Sequence, residues 1–281
     1  MKKLFILTLA VAMCYCVDAQ IKTPSASTSA KVMQTVGLTD VTVEYSRPSM
    51  KGRTIFAADG LVPYGKMWRT GANQATKITF SDDVMVGASK LPAGSYAITT
   101  VPTAATWVVN FYTHESTSWS SYKEKTPVAA VKASPMTSNS SVETYRISFE
   151  NITDTSADLV MAWANTHVPV KISVDVDDRV MKNIEQVLAG PTPNDYYNAA
   201  TYYHTSGKDK MKALELVRKA TQVDKPKFWQ VRREALILAD MGKFAEAIKT
   251  ADKSMQLAKA AGNDDYVKMN QESINAWAMK K

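Results

Sequence analysis

From Val32 to about Asp177, apolar residues recur at alternate positions in short runs. Val41-Thr42-Val43-Glu44-Tyr45, Ile78-Thr79-Phe80, Ser95 to Val101, Trp107 to Tyr112, Tyr145-Arg146-Ile147-Ser148-Phe149, Ala157 to Trp163 and Val170-Lys171-Ile172-Ser173-Val174 are rich in β-branched and aromatic residues. Alternation at period two marks strands with one face buried. Turn signals separate them: Ser81-Asp82-Asp83, Leu91-Pro92-Ala93-Gly94, Pro102-Thr103 and Asn151 to Asp154. No helical pattern lies between the strands to carry parallel crossovers. The prediction is an antiparallel β-sandwich, jelly-roll-like, over residues 20–178.

After Asp177 the period changes. Val180, Ile184, Val187 and Leu188 share one helical face. Gly190-Pro191-Thr192-Pro193-Asn194 then breaks the chain and offers a helix cap. Ser206-Gly207-Lys208…Ala213-Leu214 is echoed by Met241-Gly242-Lys243…Ala247-Ile248, with Gly207 and Gly242 35 positions apart and Ala213 and Ala247 34 apart. A glycine turn and a small crossing residue at that period resemble the tetratricopeptide pattern. A last helix, Asp264 to Met279, would cap the stack. The fold class is therefore α+β, with helical hairpins over residues 179–281.

The N-terminus changes the compartment. Lys2 and Lys3 precede an apolar run from Leu4 to Met13, and Val17-Asp18-Ala19 offers a small-x-small cleavage site before Gln20. This reads as a signal peptide over residues 1–19. The run is about half the roughly 20 residues a membrane span needs. A lipoprotein is the rival reading, but Met13 and Tyr15, rather than small residues, precede Cys14 and Cys16. Export, periplasmic or secreted, is expected. Cleavage removes both cysteines, which excludes disulfides and thiolate chemistry from the mature chain. The mature chain then carries 32 Lys+Arg against 26 Asp+Glu, a mild excess of +6 that fits anionic glycans, lipids or peptides better than nucleic acid.

The densest chemistry lies between Ser46 and Asn73. The string Ser46-Arg47-Pro48-Ser49-Met50-Lys51-Gly52-Arg53 is continued by Leu61-Val62-Pro63-Tyr64-Gly65-Lys66-Met67-Trp68-Arg69-Thr70-Gly71-Ala72-Asn73. Five cations fall in these 28 positions. The two strings, with Leu91-Pro92-Ala93-Gly94-Ser95-Tyr96 and Trp107-Val108-Val109-Asn110-Phe111, resemble an exported bacterial family known as domain-of-unknown-function family 2911. The resemblance covers roughly Lys31 to Val176. It implies an exported β domain of Bacteroidetes-type bacteria, in some members followed by helical repeats, and it implies no reaction. One departure is the loop after Phe56, where Ala57-Ala58-Asp59-Gly60 stands in place of the family's glycines.

Catalytic patterns are sparse. His114, His167 and His204 form no ligand-spaced pair, and no phosphate loop or glycine-x-serine-x-glycine elbow occurs. Asp175, Asp177 and Asp178 read as a turn and helix start rather than a calcium loop. No cofactor or metal is implied. Arg47, Arg53, Lys66, Arg69 and Asn73 carry donors suited to a carboxylate, phosphate or sugar, and Tyr64 and Trp68 could supply a flat face. The same residues could instead tie loops to the backbone and fill the core. In the helical half, Tyr196, Tyr197, Tyr202 and Tyr203 fit a core stripe or a peptide-binding face, and Lys208 to Lys212 fit a solvated one. The expectation is an envelope protein acting as a non-catalytic binding or assembly module, with its polar site at the Arg47, Arg69 and Asn73 motifs. Its candidate partners are an anionic small molecule or glycan there and an envelope protein or peptide on the helices. An enzyme acting on an anionic or glycan substrate, and a purely structural domain, remain open.

Overall fold

The computed structural model describes residues 23–280. The expected signal peptide and both cysteines lie outside them. The chain is α+β: an antiparallel β region is followed by six helices, and the division into two compact units falls between Val176 and Asp177.

The first unit holds twelve strands among the described residues: β1 (Thr28–Val36), β2 (Thr39–Arg47), β3 (Phe56–Ala57), β4 (Val62–Pro63), β5 (Thr76–Phe80), β6 (Val84–Val86), β7 (Ser89–Leu91), β8 (Gly94–Pro102), β9 (Trp107–Thr113), β10 (Ala129–Ala133), β11 (Met136–Glu150) and β12 (Ser156–Val174). A six-stranded sheet runs β1-β2-β5-β8-β9-β10 and a four-stranded sheet runs β11-β12-β6-β7. Alternation does what it predicts. Val41, Val43 and Tyr45 of β2 and Ile78 and Phe80 of β5 are buried, and they pack with Ile147, Leu159, Trp163 and Ile172 of the other sheet in one core. Their odd-face partners Glu44, Lys77 and Thr79 point away from that core, in register across β2 and β5.

Two expected strands, 157–163 and 170–174, are one element. β12 runs unbroken through Ala164, which takes a φ of +52°, and register shifts on β11 between Thr137 and Arg146 absorb the bend. A bulge re-aims a strand without ending it. After Phe56, the variant loop closes a two-residue parallel pair of β3 with β4, and Gly60 lies so close to Ile55 that a Cβ there would sit 2.4 Å from its carbonyl oxygen.

The second unit holds α1 (Asp177–Val187), α2 (Pro193–Thr205), α3 (Lys210–Thr221), α4 (Phe228–Asp240), α5 (Phe244–Ala260) and α6 (Asp264–Ala278). Asp177 and Asp178 sit in the first turn of α1, where the helix dipole favours them. Thr192 caps α2 in a capping box with Asp195. Gly207 and Gly242 both take positive φ in the turns after α2 and α4, and Ala213 and Ala247 are fully buried where α3 and α5 cross their neighbours. Of the tyrosine stripe, Tyr196, Tyr202 and Tyr203 pack on this unit's core. No helix among the described residues is long and apolar enough to cross a membrane.

Candidate functional site

The first motif leaves β2 and changes sheet. Ser49 bridges Thr144 of β11, Tyr145 N–H donates to the Pro48 carbonyl, and Met50 N–H donates to the Glu143 carbonyl. Arg47 Nε donates to the Tyr145 carbonyl at 2.9 Å. Arg53 folds back, donating to the Met50 and Ser49 carbonyls at 2.9 and 2.7 Å. Both guanidinium groups therefore act as backbone ties. Carbonyls bonded to a charged donor hold their segment more firmly than neutral pairs do.

The second motif joins the opposite sheet. Trp68 and Thr100 of β8 exchange backbone hydrogen bonds at 2.7 and 2.9 Å. The Trp68 indole donates to the Gly71 carbonyl and packs in a ring cluster with Phe56, Trp107, Tyr145 and Trp163, at centroid distances from 5.1 to 6.2 Å. Thr70 is fully buried with φ +57°; its carbonyl accepts from Thr76 Oγ1 at 2.7 Å. Gly71 lies against Ser46, so a Cβ would stand 2.9 Å from the Ser46 carbonyl oxygen. Arg69 donates to the Asn73 carbonyl and lies 4.8 Å over the Trp119 ring. Asn73, also at φ +57°, donates to Ser46 Oγ and to the Ser27 carbonyl.

The seven candidate residues thus do not converge on one point. Arg47 and Arg53 sit on the β11 side. Trp68, Arg69 and Asn73 frame the loop beside β8. Tyr64 is half-buried and Lys66 exposed, and neither side chain joins these bonds.

The Asn73 loop does wall a cleft. A cavity of about 380 Å³ opens on the outer face of the six-stranded sheet, lined by Lys31, Glu44, Ser46, Gln74, Lys77 and His114 among others. Register places Lys31, Glu44 and Lys77 side by side on β1, β2 and β5. The Lys77 ammonium bonds Glu44 directly, and Lys31 stands 3.8 Å away. The bond from Lys77 holds the Glu44 carboxyl below its ordinary range, against a smaller opposing effect of burial, with Lys31 and His114 adding to the lowering. A carboxylate tied this way stays ionised at neutral pH and is a poor proton donor or acceptor there. With Glu44 neutralised by one lysine, the remaining lining is a second lysine, an imidazole, hydroxyls and an amide. That set suits an anionic, hydroxyl-bearing ligand.

These residues escaped the motif search because none belongs to a motif. The signal was present as polar residues at Thr42, Glu44 and Ser46, every second position of a strand whose other face is apolar. Among the described residues, no group of three or more His, Asp or Glu is placed to hold a metal ion. His167 Nε2 and the Tyr145 hydroxyl are buried without a partner.

A family model described as "Protein of unknown function (DUF2911)" matches residues 27–172, which is 146 of the 281 residues. No curated protein and no solved structure matches the chain.

Proposed function

The chain belongs to the DUF2911 family, and from that premise we propose that it is an exported, non-catalytic binding module of the bacterial envelope. The β unit would hold an anionic small molecule or acidic glycan in the cleft beside the Asn73 loop. The helical unit, read as tetratricopeptide-like hairpins, would contact an envelope protein or peptide. One observation carries this reading: Arg47, Arg53 and Arg69 are engaged by backbone carbonyls, and the neighbouring Ser46 and Gln74 line a polar cleft whose single carboxylate is tied to Lys77. Such a site can recognise charge and hydroxyls, and it lacks a free acid–base pair.

The same hydrogen bonds favour a second reading, a domain whose motifs serve folding alone. A thermal-shift panel of uronic acids and matched neutral sugars, run with product analysis by mass spectrometry, separates the readings. Binding of an acidic sugar that returns unaltered, lost in Lys31→Ala, supports the binding module. Turnover refutes the non-catalytic assignment. No stabilisation by any acidic ligand refutes the site.

A further inference from the structure

The six-stranded sheet ends on β1 and the four-stranded sheet ends on β11. β1 is nine residues long and pairs on one side only, with β2. Bonds already in place fix which way its backbone groups aim. The Asp40 and Ser46 carbonyls of β2 accept from Ser81 and Ala72 on the β5 side, so Val41, Val43 and Tyr45 aim at β1, where they face Gln34, Val32 and Ala30. Ser29, Lys31 and Met33 therefore aim their N–H and C=O groups out of the sheet edge. The Thr35 carbonyl beyond them is taken by the Gln34 side chain at 2.8 Å. On β11, Tyr145 N–H donates to the Pro48 carbonyl and Ile147 N–H to the Tyr45 hydroxyl, both away from β12. Phe149 lies two residues further along that same edge.

A groove of about 450 Å³ lies between the two edges. Ala30 and Val32 of β1 and Ile147 and Phe149 of β11 give it an apolar lining. Its charged lining has one sign: Lys31, Arg47 and Arg146, with no Asp or Glu. Arg47 is held by the Tyr145 carbonyl. Arg146 is exposed and makes no hydrogen bond or ion pair among the described residues. Lys31 stands 3.8 Å from Glu44, which Lys77 bonds more closely. An edge strand of this length with unpaired backbone groups is a template for another strand. A second copy of the chain would bring the same cations to this groove, whereas an acidic strand answers them.

We propose that the β1 edge is a peptide-binding site. An extended peptide of alternating apolar and acidic residues adds as a strand beside Ser29 to Met33. Its apolar side chains enter the groove, and its carboxylates lie beside Lys31 in the positive field of Arg47 and Arg146. Main-chain bonds supply affinity in this mode, and the alternating side chains supply selectivity. The site lies at the sheet edge and does not rest on binding of an acidic sugar to the outer face, although Lys31 borders both.

The test uses the whole chain from Gln20 onward. Amide hydrogen exchange is followed by NMR while a capped octapeptide of alternating valine and glutamate is added, with the valine–lysine octapeptide as reference. The expected result is saturable slowing at Lys31 and Met33, whose N–H groups gain a partner, with little change at Val32, which is already bonded to β2. Met33→Pro removes an edge donor at a position where an edge strand tolerates proline, and should weaken binding at least about tenfold. Lys31→Glu should weaken it about tenfold, through one exposed pair lost and a like-charge contact of similar size added, and should turn preference toward the lysine peptide. Equal binding of the two peptides, saturable binding that leaves the Lys31 and Met33 amides unslowed, or no binding overturns the proposal. Slowing of the same amides by raised protein concentration alone assigns the edge to a second copy and also overturns it.

Discussion

Replacing Gly71 by alanine is the sharpest perturbation of the motif frame. Gly71 has φ +157°, and an added Cβ would lie 2.9 Å from the Ser46 carbonyl oxygen and 3.1 Å from Thr76 Oγ1. Neither neighbour can retreat freely. The Ser46 carbonyl accepts from Ala72 N–H, and Thr76 Oγ1 is fully buried while donating to Thr70. Gly65 supplies the control, since it has φ +74° but nothing within 4 Å of an added Cβ. Gly65→Ala should cost only the backbone term, about 1–2 kcal/mol. Gly71→Ala should add the collision, roughly 1–3 kcal/mol more for an overpacked interior. For a unit near 150 residues that excess lowers Tm by a further ~3 °C or more. Near-ultraviolet circular dichroism reports it through the Trp68, Trp107 and Trp163 cluster. Equal melting points for the two variants would refute the close approach of the Gly71 loop to β2.

Four further outcomes follow from the same geometry. Arg47→Ala removes the tie to the Tyr145 carbonyl and should cost about 1–3 kcal/mol in urea unfolding, whereas Lys66→Ala, at an exposed side chain outside the network, should stay within about 0.5 kcal/mol of the parent. Tyr145→Phe deletes a hydroxyl buried without a partner and should leave stability equal or higher in the same assay; a loss above about 1 kcal/mol would mean the hydroxyl is satisfied. The Glu44 carboxyl is lowered in the folded state, so its stabilising contribution is present above the ordinary glutamate pKa of 4.5 and fades as pH falls through the lowered value; Glu44→Gln should flatten the acid limb of a Tm–pH curve, and an unchanged limb contradicts the Lys77 tie. N-terminal sequencing of protein from the periplasm or medium of a bacterial host should begin at Gln20.

Much of the architecture was legible because burial writes a period into the chain. β2 and β5 show alternation in their own residues, β8 and β9 stand out as β-branched and aromatic runs buried along most of their length, and the helices from Pro193 onward show caps and turn glycines. What escaped was set by partners rather than by local pattern. β1 has intermediate and exposed residues along most of its length and is defined by its register with β2. β6 and β7 are too short to show a period, and β10, Ala129-Ala130-Val131-Lys132-Ala133, is mostly alanine, which marks neither face. The continuity of β12 through Ala164 depends on bulges in β11, which no local signal marks. For the site, composition singled out a segment that lies next to the cleft, with Ser46 at one end and Gln74 just past the other in its lining, while none of the seven candidate residues lines it. It could not separate donors engaged by backbone from donors facing a ligand: Arg47 and Arg53 carry the same chemistry as a binding arginine, and only the positions of the Tyr145, Met50 and Ser49 carbonyls assign them. Lys31, Glu44, Lys77 and His114 come from four separate places in the chain, and pairing of strands brings them together.

The central claim is that the motif arginines frame the β unit while the neighbouring cleft binds. The most direct measurement is the amide NMR spectrum of the chain from Gln20 onward during titration with glucuronate. The account predicts saturable shifts at Lys31, Glu44, Ser46, Lys77 and His114, with Arg47 and Arg53 unmoved. Shifts centred on Arg47 and Arg53, or no saturable shift in the β unit, would contradict it.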